Sequence, residues 1–193
     1  MKKLFTVLVG CIIAFAANAQ KLPDMGLYKI HVSESDKNIQ AEINPVESKP
    51  TIQTDRSYYW YSAGKIKITQ GGYSGKLLNG LYNELYLNKN LKEQGEFKKG
   101  LKNGLWKSWI ENGKLVQAIN WKNGVKNGGF EIYDEKGNLK QKGNYANDVL
   151  DGNQITYFSR DSVQVVSYKD GKLVSKGKGS GFWRKLNIFK KDK

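Results

Sequence analysis

Two kinds of side chain able to act as reagents occur once each in this sequence. His31 is the only histidine and Cys11 the only cysteine. A hydrolytic triad needs a histidine beside a nucleophile, and a structural zinc site needs several Cys and His ligands together. One of each supports neither. No nucleophile elbow and no HExxH motif is present. His31 falls in the alternating run Leu27-Tyr28-Lys29-Ile30-His31-Val32 and reads as a surface or packing residue of a strand. Glu84, Glu93, Glu96, Glu111, Glu131, Asp134 and Glu135 are scattered and form no recurring pair of the kind acid–base chemistry uses. The sequence therefore predicts no enzyme, no metal and no cofactor.

What does recur is aromatic and turn-forming, at a period of 24 residues. Stepping by 24 from Asn103 reaches Asn79, Asn127 and Asp151, with Asp55 one step further back. Gly104 maps onto Gly80, Gly128 and Gly152 in the same way. Three ring columns run alongside. Tyr73, Phe97, Trp121 and Tyr145 form the first; Tyr82, Trp106 and Phe130 the second; Trp109, Tyr133 and Tyr157 the third. A fixed period of this size signals a repeat architecture.

Each copy must place its rings with two strand-length runs and two turns. Gln94–Lys98 reads as one strand, Gly100 to Gly104 as a turn ending in Asn-Gly, and Leu105–Ile110 as the next strand. Glu111-Asn112-Gly113 then turns into Lys114–Asn120. Asn-Gly and Asp-Gly favour tight hairpins because both residues tolerate positive φ. The Asn79/Asn103/Asn127/Asp151 and Gly80/Gly104/Gly128/Gly152 columns are accordingly predicted to be structural turns rather than calcium ligands or a phosphate loop. No repeat shows helical periodicity. The expected fold is all-β, an elongated single-layer antiparallel meander of hairpins. Trp106 and Trp109, three apart, point to opposite faces of a regular strand, so either both faces carry rings or a bulge re-aims one.

Four segments follow. Residues 1–19 read as a signal peptide: Lys2 and Lys3, an uncharged apolar run from Leu4 to Ala17, and the small-x-small site Ala17-Asn18-Ala19. This predicts export to the periplasm, the outer membrane or the exterior, with cleavage after Ala19. The stretch Leu8-Val9-Gly10-Cys11 offers lipid attachment at Cys11 instead, but too few apolar residues precede it and the run continues past it. Residues 20–54 read as a capping segment, with Ile39 to Ile43 pairing back on the first strand. Residues 55–175 hold the repeats, opening with a half-copy hairpin, Tyr58-Tyr59-Trp60-Tyr61 and Lys65–Ile68. Residues 176–193 are a Gly/Lys linker and a basic tail, where Phe182, Leu186 and Phe189 stand at helical spacing beside Trp183, Arg184 and Lys185.

The pattern Gly-x-aromatic-x-x-Gly-x-x-x-Gly, carried by Gly95, Phe97, Gly100 and Gly104, resembles the MORN repeat. With Asn-Gly and a following Trp or Tyr it is similar to the bacterial YwqK-type variant. Ile119, Asp148 and Gly75 depart from strict regularity. The resemblance implies a thin antiparallel sheet used as a scaffold or binding surface. The antitoxin label of that variant implies a cytosolic binding protein, at odds with an exported chain.

The function expected is a non-enzymatic scaffold of the bacterial cell envelope, binding other envelope proteins through a sheet face and the basic tail. A glycan- or membrane-surface-binding module is the alternative. The net charge of +14 would suit nucleic acid, but export argues against it. Candidate binding rings are Tyr82, Trp106, Trp109, Phe130, Tyr133 and Tyr157. The tail candidates are Phe182, Trp183, Arg184, Lys185, Leu186 and Phe189.

Overall fold

The computed structural model describes residues 28–43, 50–159, 162–174 and 183–184. The signal segment, Cys11, and Phe182, Lys185, Leu186 and Phe189 of the tail lie outside the described residues. All described elements are strands, joined antiparallel in one open sheet. β1 (Tyr28–Ser33) and β2 (Lys37–Ile43) form an N-terminal hairpin, as expected of the capping segment. β3 (Ser57–Ser62) and β4 (Lys65–Gln70) form the half-copy hairpin. The meander then runs through β5 (Lys76–Tyr86), β6 (Leu91–Lys98), β7 (Leu101–Trp109), β8 (Leu115–Lys122), β9 (Val125–Tyr133) and β10 (Leu139–Ala146). It continues through β11 (Val149–Leu150), β12 (Gly152–Ser159), β13 (Ser162–Lys169) and β14 (Lys172–Leu173). β2 joins the array by pairing with β5. Trp183–Arg184, placed by the sequence in a helical run, instead forms the short strand β15 on the edge of β13.

The hairpins close at sites other than the predicted ones. At one end of the array the turns are two-residue connections with both residues at positive φ: Ala63-Gly64, Lys99-Gly100, Asn123-Gly124, Asn147-Asp148 and Asp170-Gly171. That is type I′ geometry, whose twist matches the flanking strands. At the other end, three-residue loops place Lys89, Gly113 and Gly137 at positive φ, Gly113 in the Glu111-Asn112-Gly113 turn the sequence indicates.

The Asn/Asp-Gly columns do not close hairpins. Asn79-Gly80, Asn103-Gly104 and Asn127-Gly128 lie inside β5, β7 and β9, and Asp151-Gly152 lies at the β11–β12 junction. There the long strand carries two extra residues. Glu96 faces Asn103 while Gln94 faces Lys107, and Ile119 faces Phe130 while Trp121 faces Lys126. These are bulges, and the glycine takes the positive φ the bulge needs, 73° at Gly104. The preceding asparagine reaches forward instead: Asn79 Oδ1 accepts the Lys99 N–H at 3.0 Å, tying one repeat to the turn of the next. Backbone bonds repeat that tie, Gly100 N–H to Leu78 O at 2.7 Å and Gly124 N–H to Lys102 O at 2.9 Å.

One face of the sheet carries the core. Register sets Tyr82, Gly95, Trp106, Ile119, Phe130 and Gly143 in one row across six strands. Trp106 lies over Gly95 so closely that a Cβ there would overlap its indole, and a Cβ at Gly143 would stand 2.8 Å from Phe130 Cε1. The two rings thus lean away from each other, and Ile119 fills the space between them. The irregularity of Ile119 in the glycine column has this physical reason. The first ring column shares the face, two residues along each strand. The β3–β4 hairpin folds back over its N-terminal part, with Tyr59, Tyr61 and Ile66 on the main core. Its other side builds a smaller cluster of Tyr58, Trp60, Leu77 and Leu101.

Candidate functional site

The structure divides the six candidate rings between two fates. Tyr82, Trp106 and Phe130 are 5%, 2% and 4% exposed, so they form the core and present nothing to a partner. Their designation as binding residues is corrected: the glycines beside Trp106 and Phe130 let those rings lie flat against the strands. Trp109, Tyr133 and Tyr157 are half-buried and point to the opposite face. Both faces therefore carry rings. A repeated bulge at Lys92, Val116 and Lys140 lies on the partner strands and leaves the Trp106–Trp109 alternation intact.

The opposite face is polar. Its central row reads His31, Gln40, Asn83, Gln94, Lys107, Ala118, Glu131 and Lys142. His31 thus stands at the end of that row, on the edge strand β1. Between β7 and β12 this face encloses a groove of about 670 Å³, in which Lys107, Asn120, Glu131, Tyr133, Lys142 and Asn144 supply the polar walls. Asn120 Nδ2 donates to Gly129 O at 2.9 Å, and Tyr133 OH donates to Glu131 Oε2 at 2.5 Å. That bond to a carboxylate, with some burial, raises the Tyr133 hydroxyl above its ordinary range and keeps it a donor. Of the polar wall residues only Tyr133 is among the binding candidates expected from sequence. The spacing of Asn120 and Asn144 could have shown the others, once strand parity is counted across the bulges.

On the core face, the first ring column changes character along the array. Phe97 is 1% exposed, whereas Trp121 and Tyr145 are half-buried. Lysines stand opposite them, with Lys102 paired to Phe97 and Lys126 paired to Trp121. Lys102 Nζ lies 3.9 Å from the Trp106 ring centre and 2.7 Å from Glu93 Oε1.

One buried carboxylate needs an account. Glu84 accepts from Tyr82 OH at 2.7 Å and lies 2.9 Å from Lys92 Nζ and 3.5 Å from Lys37 Nζ. Burial pushes its pKa up, but the bonds from Lys92 and Tyr82 and the two positive charges outweigh that and hold it below the ordinary value. Burial and the Glu84 charge raise Tyr82, and the bond to Glu84 raises Lys92. This is an ion cluster built around a buried carboxylate. Because the folded pKa is depressed, Glu84 stabilises the fold above the unfolded carboxylate value of about 4.3, and that contribution fades as pH falls through the lower folded value. In urea titrations the gap between wild type and Glu84→Gln should narrow steadily on acidification below about pH 4. A gap constant with pH would contradict the cluster. Among the described residues no group of His, Cys, Asp and Glu could hold a metal ion.

A family model described as a MORN repeat variant matches residues 102–123 and 126–147. No curated protein and no solved structure matches the chain. The matched copies stand 24 residues apart and begin at Lys102 and Lys126, the lysines opposite the ring column. MORN repeats are a non-catalytic repeat type that serves as scaffold for protein and membrane interactions. With the same turns, bulges and inter-repeat bonds on both sides of the matched pair, the chain is a MORN-like repeat protein.

Proposed function

We propose that the protein is a non-enzymatic scaffold of the bacterial cell envelope that binds other envelope proteins through its sheet. The observation that carries this is the half-open ring column: Phe97 is sealed by the chain's own β3, while Trp121 and Tyr145 continue the same surface half-buried, with no such cover among the described residues. Large aromatic side chains left partly open on a surface are what protein interfaces use as anchors. The signal-like residues 1–19 and the basic tail support the envelope setting. The groove on the other face, with amide walls and half-buried rings, favours a second reading as a glycan site. Affinity capture from solubilised envelopes tests the proposal. A defined protein should return with the full chain, and repeated return of none overturns the scaffold reading. Retention on wall polysaccharide alone would favour the groove.

A further inference from the structure

The ring column contains its own example of a docked segment. At the first site, Phe97, Lys102 and the Gly100 carbonyl receive β3. The Tyr59 ring lies 4.7 Å from the Phe97 ring, and Tyr59 N–H donates to Gly100 O at 2.8 Å. Lys102 Nζ is 5.8 Å from the Tyr59 ring, and Glu93 supplies the matching carboxylate.

One repeat on, about 10 Å away at two strand spacings, the same groups recur as Trp121, Lys126 and the Gly124 carbonyl. Among the described residues no ring stacks on Trp121, and the Gly124 carbonyl accepts no hydrogen bond. Gln117 stands 24 residues after Glu93, so Lys126 lacks the carboxylate that Lys102 has. Lys126 Nζ lies instead 5.1 Å from the Tyr145 ring centre and 6.0 Å from that of Trp121. Arg56 packs beside Gly124; its Nη1 is paired with Asp55, and its buried Nε–H has no acceptor. The third site has Leu150 opposite Tyr145 and shares Lys126 with the second, whereas Trp121 lies between two lysines, Lys102 at 5.4 Å and Lys126 at 6.0 Å, so charge is densest at the second.

We propose that this second site binds an extended, acidic, tyrosine-bearing segment of a partner protein. The tyrosine stacks on Trp121 as Tyr59 does on Phe97, its backbone N–H meets the Gly124 carbonyl, and a neighbouring carboxylate pairs with Lys126 and Arg56. The chain's own C-terminal tail is a poor occupant, since Lys185, Lys190, Lys191 and Lys193 repeat the charge already there. The proposal rests on the scaffold reading and names the chemistry of its partner.

The test is a titration of the full chain, nitrogen-labelled at its indoles, with the capped peptide Ser-Glu-Tyr-Glu-Tyr-Ser at low ionic strength. The Trp121 indole signal should shift saturably. Lys126→Gln should weaken binding about tenfold, as loss of one partner of a close charge pair does. Lys136→Gln, in the exposed loop between β9 and β10, should leave it unchanged, and a peptide with lysine in place of glutamate should not bind. The proposal is overturned by no binding, by a shift confined to other indoles, by equal affinity of the Lys126→Gln variant, or by binding of the lysine peptide. If the peptide fails while envelope capture still returns a protein, the site assignment falls and the scaffold reading stands.

Discussion

Replacing Trp106 with alanine is expected to lower the stability of the fold by about 3–5 kcal/mol, the cost of removing a buried aromatic from a packed core. The size follows from its neighbours. The indole lies over the Gly95 backbone and is 4.8 Å from the Phe97 ring and 5.6 Å from that of Tyr82. Its Nε1–H donates to Glu96 O at 3.2 Å, an acceptor the truncation leaves behind. A thin sheet has little other apolar mass over that row, so the cavity cannot close by collapse. Chemical denaturation followed by circular dichroism measures the effect. A loss within about 0.5 kcal/mol, the ordinary range for surface changes, would remove Trp106 from the core.

The second large effect is reciprocal. Gly95 and Ile119 occupy the same repeat column, yet exchanging their residue types should fail in both directions. Gly95→Ile drives a branched side chain into the indole, and overpacking of this kind costs about 1–3 kcal/mol or more. Ile119 is 4% exposed between rings that lean away from it, so Ile119→Gly leaves a void and should cost roughly 2–5 kcal/mol. The two sites differ in what relieves the damage. Gly95→Ile combined with Trp106→Ala should be markedly less destabilised than the two changes summed, because the clash is with that ring. Strict additivity in this double-mutant cycle would show that the ring does not cover Gly95.

Much of this was readable from residues alone, for physical reasons. The period, the all-β class and the N-terminal cap follow from side-chain alternation and recurrence, which depend on neighbours along the chain. The hairpin of Tyr58–Tyr61 with Lys65–Ile68 was legible for the same reason. The Asn-Gly columns were misassigned because positive φ is shared by turns and bulges. Only the pairing partner distinguishes them, and Lys99-Gly100 closes the hairpin four residues earlier. The buried ring column was misassigned because rings at one spacing look alike in sequence. Burial of Tyr82 and Trp106 depends on β2, β3 and Gly95, which arrive from elsewhere in the chain. The Lys102–Trp106–Tyr59 contacts and the Glu84 cluster likewise join residues that no local pattern connects.

On the proposal above, ring sites made alike by the repeat are closed by the chain at Phe97 and left for a partner at Trp121. Envelope capture with charge-reversed variants on each face separates the two surfaces. The full chain and Lys142→Glu should return the same protein, and Lys126→Glu should return little or none of it. Equal recovery with Lys126→Glu, or loss only with Lys142→Glu, would contradict the claim.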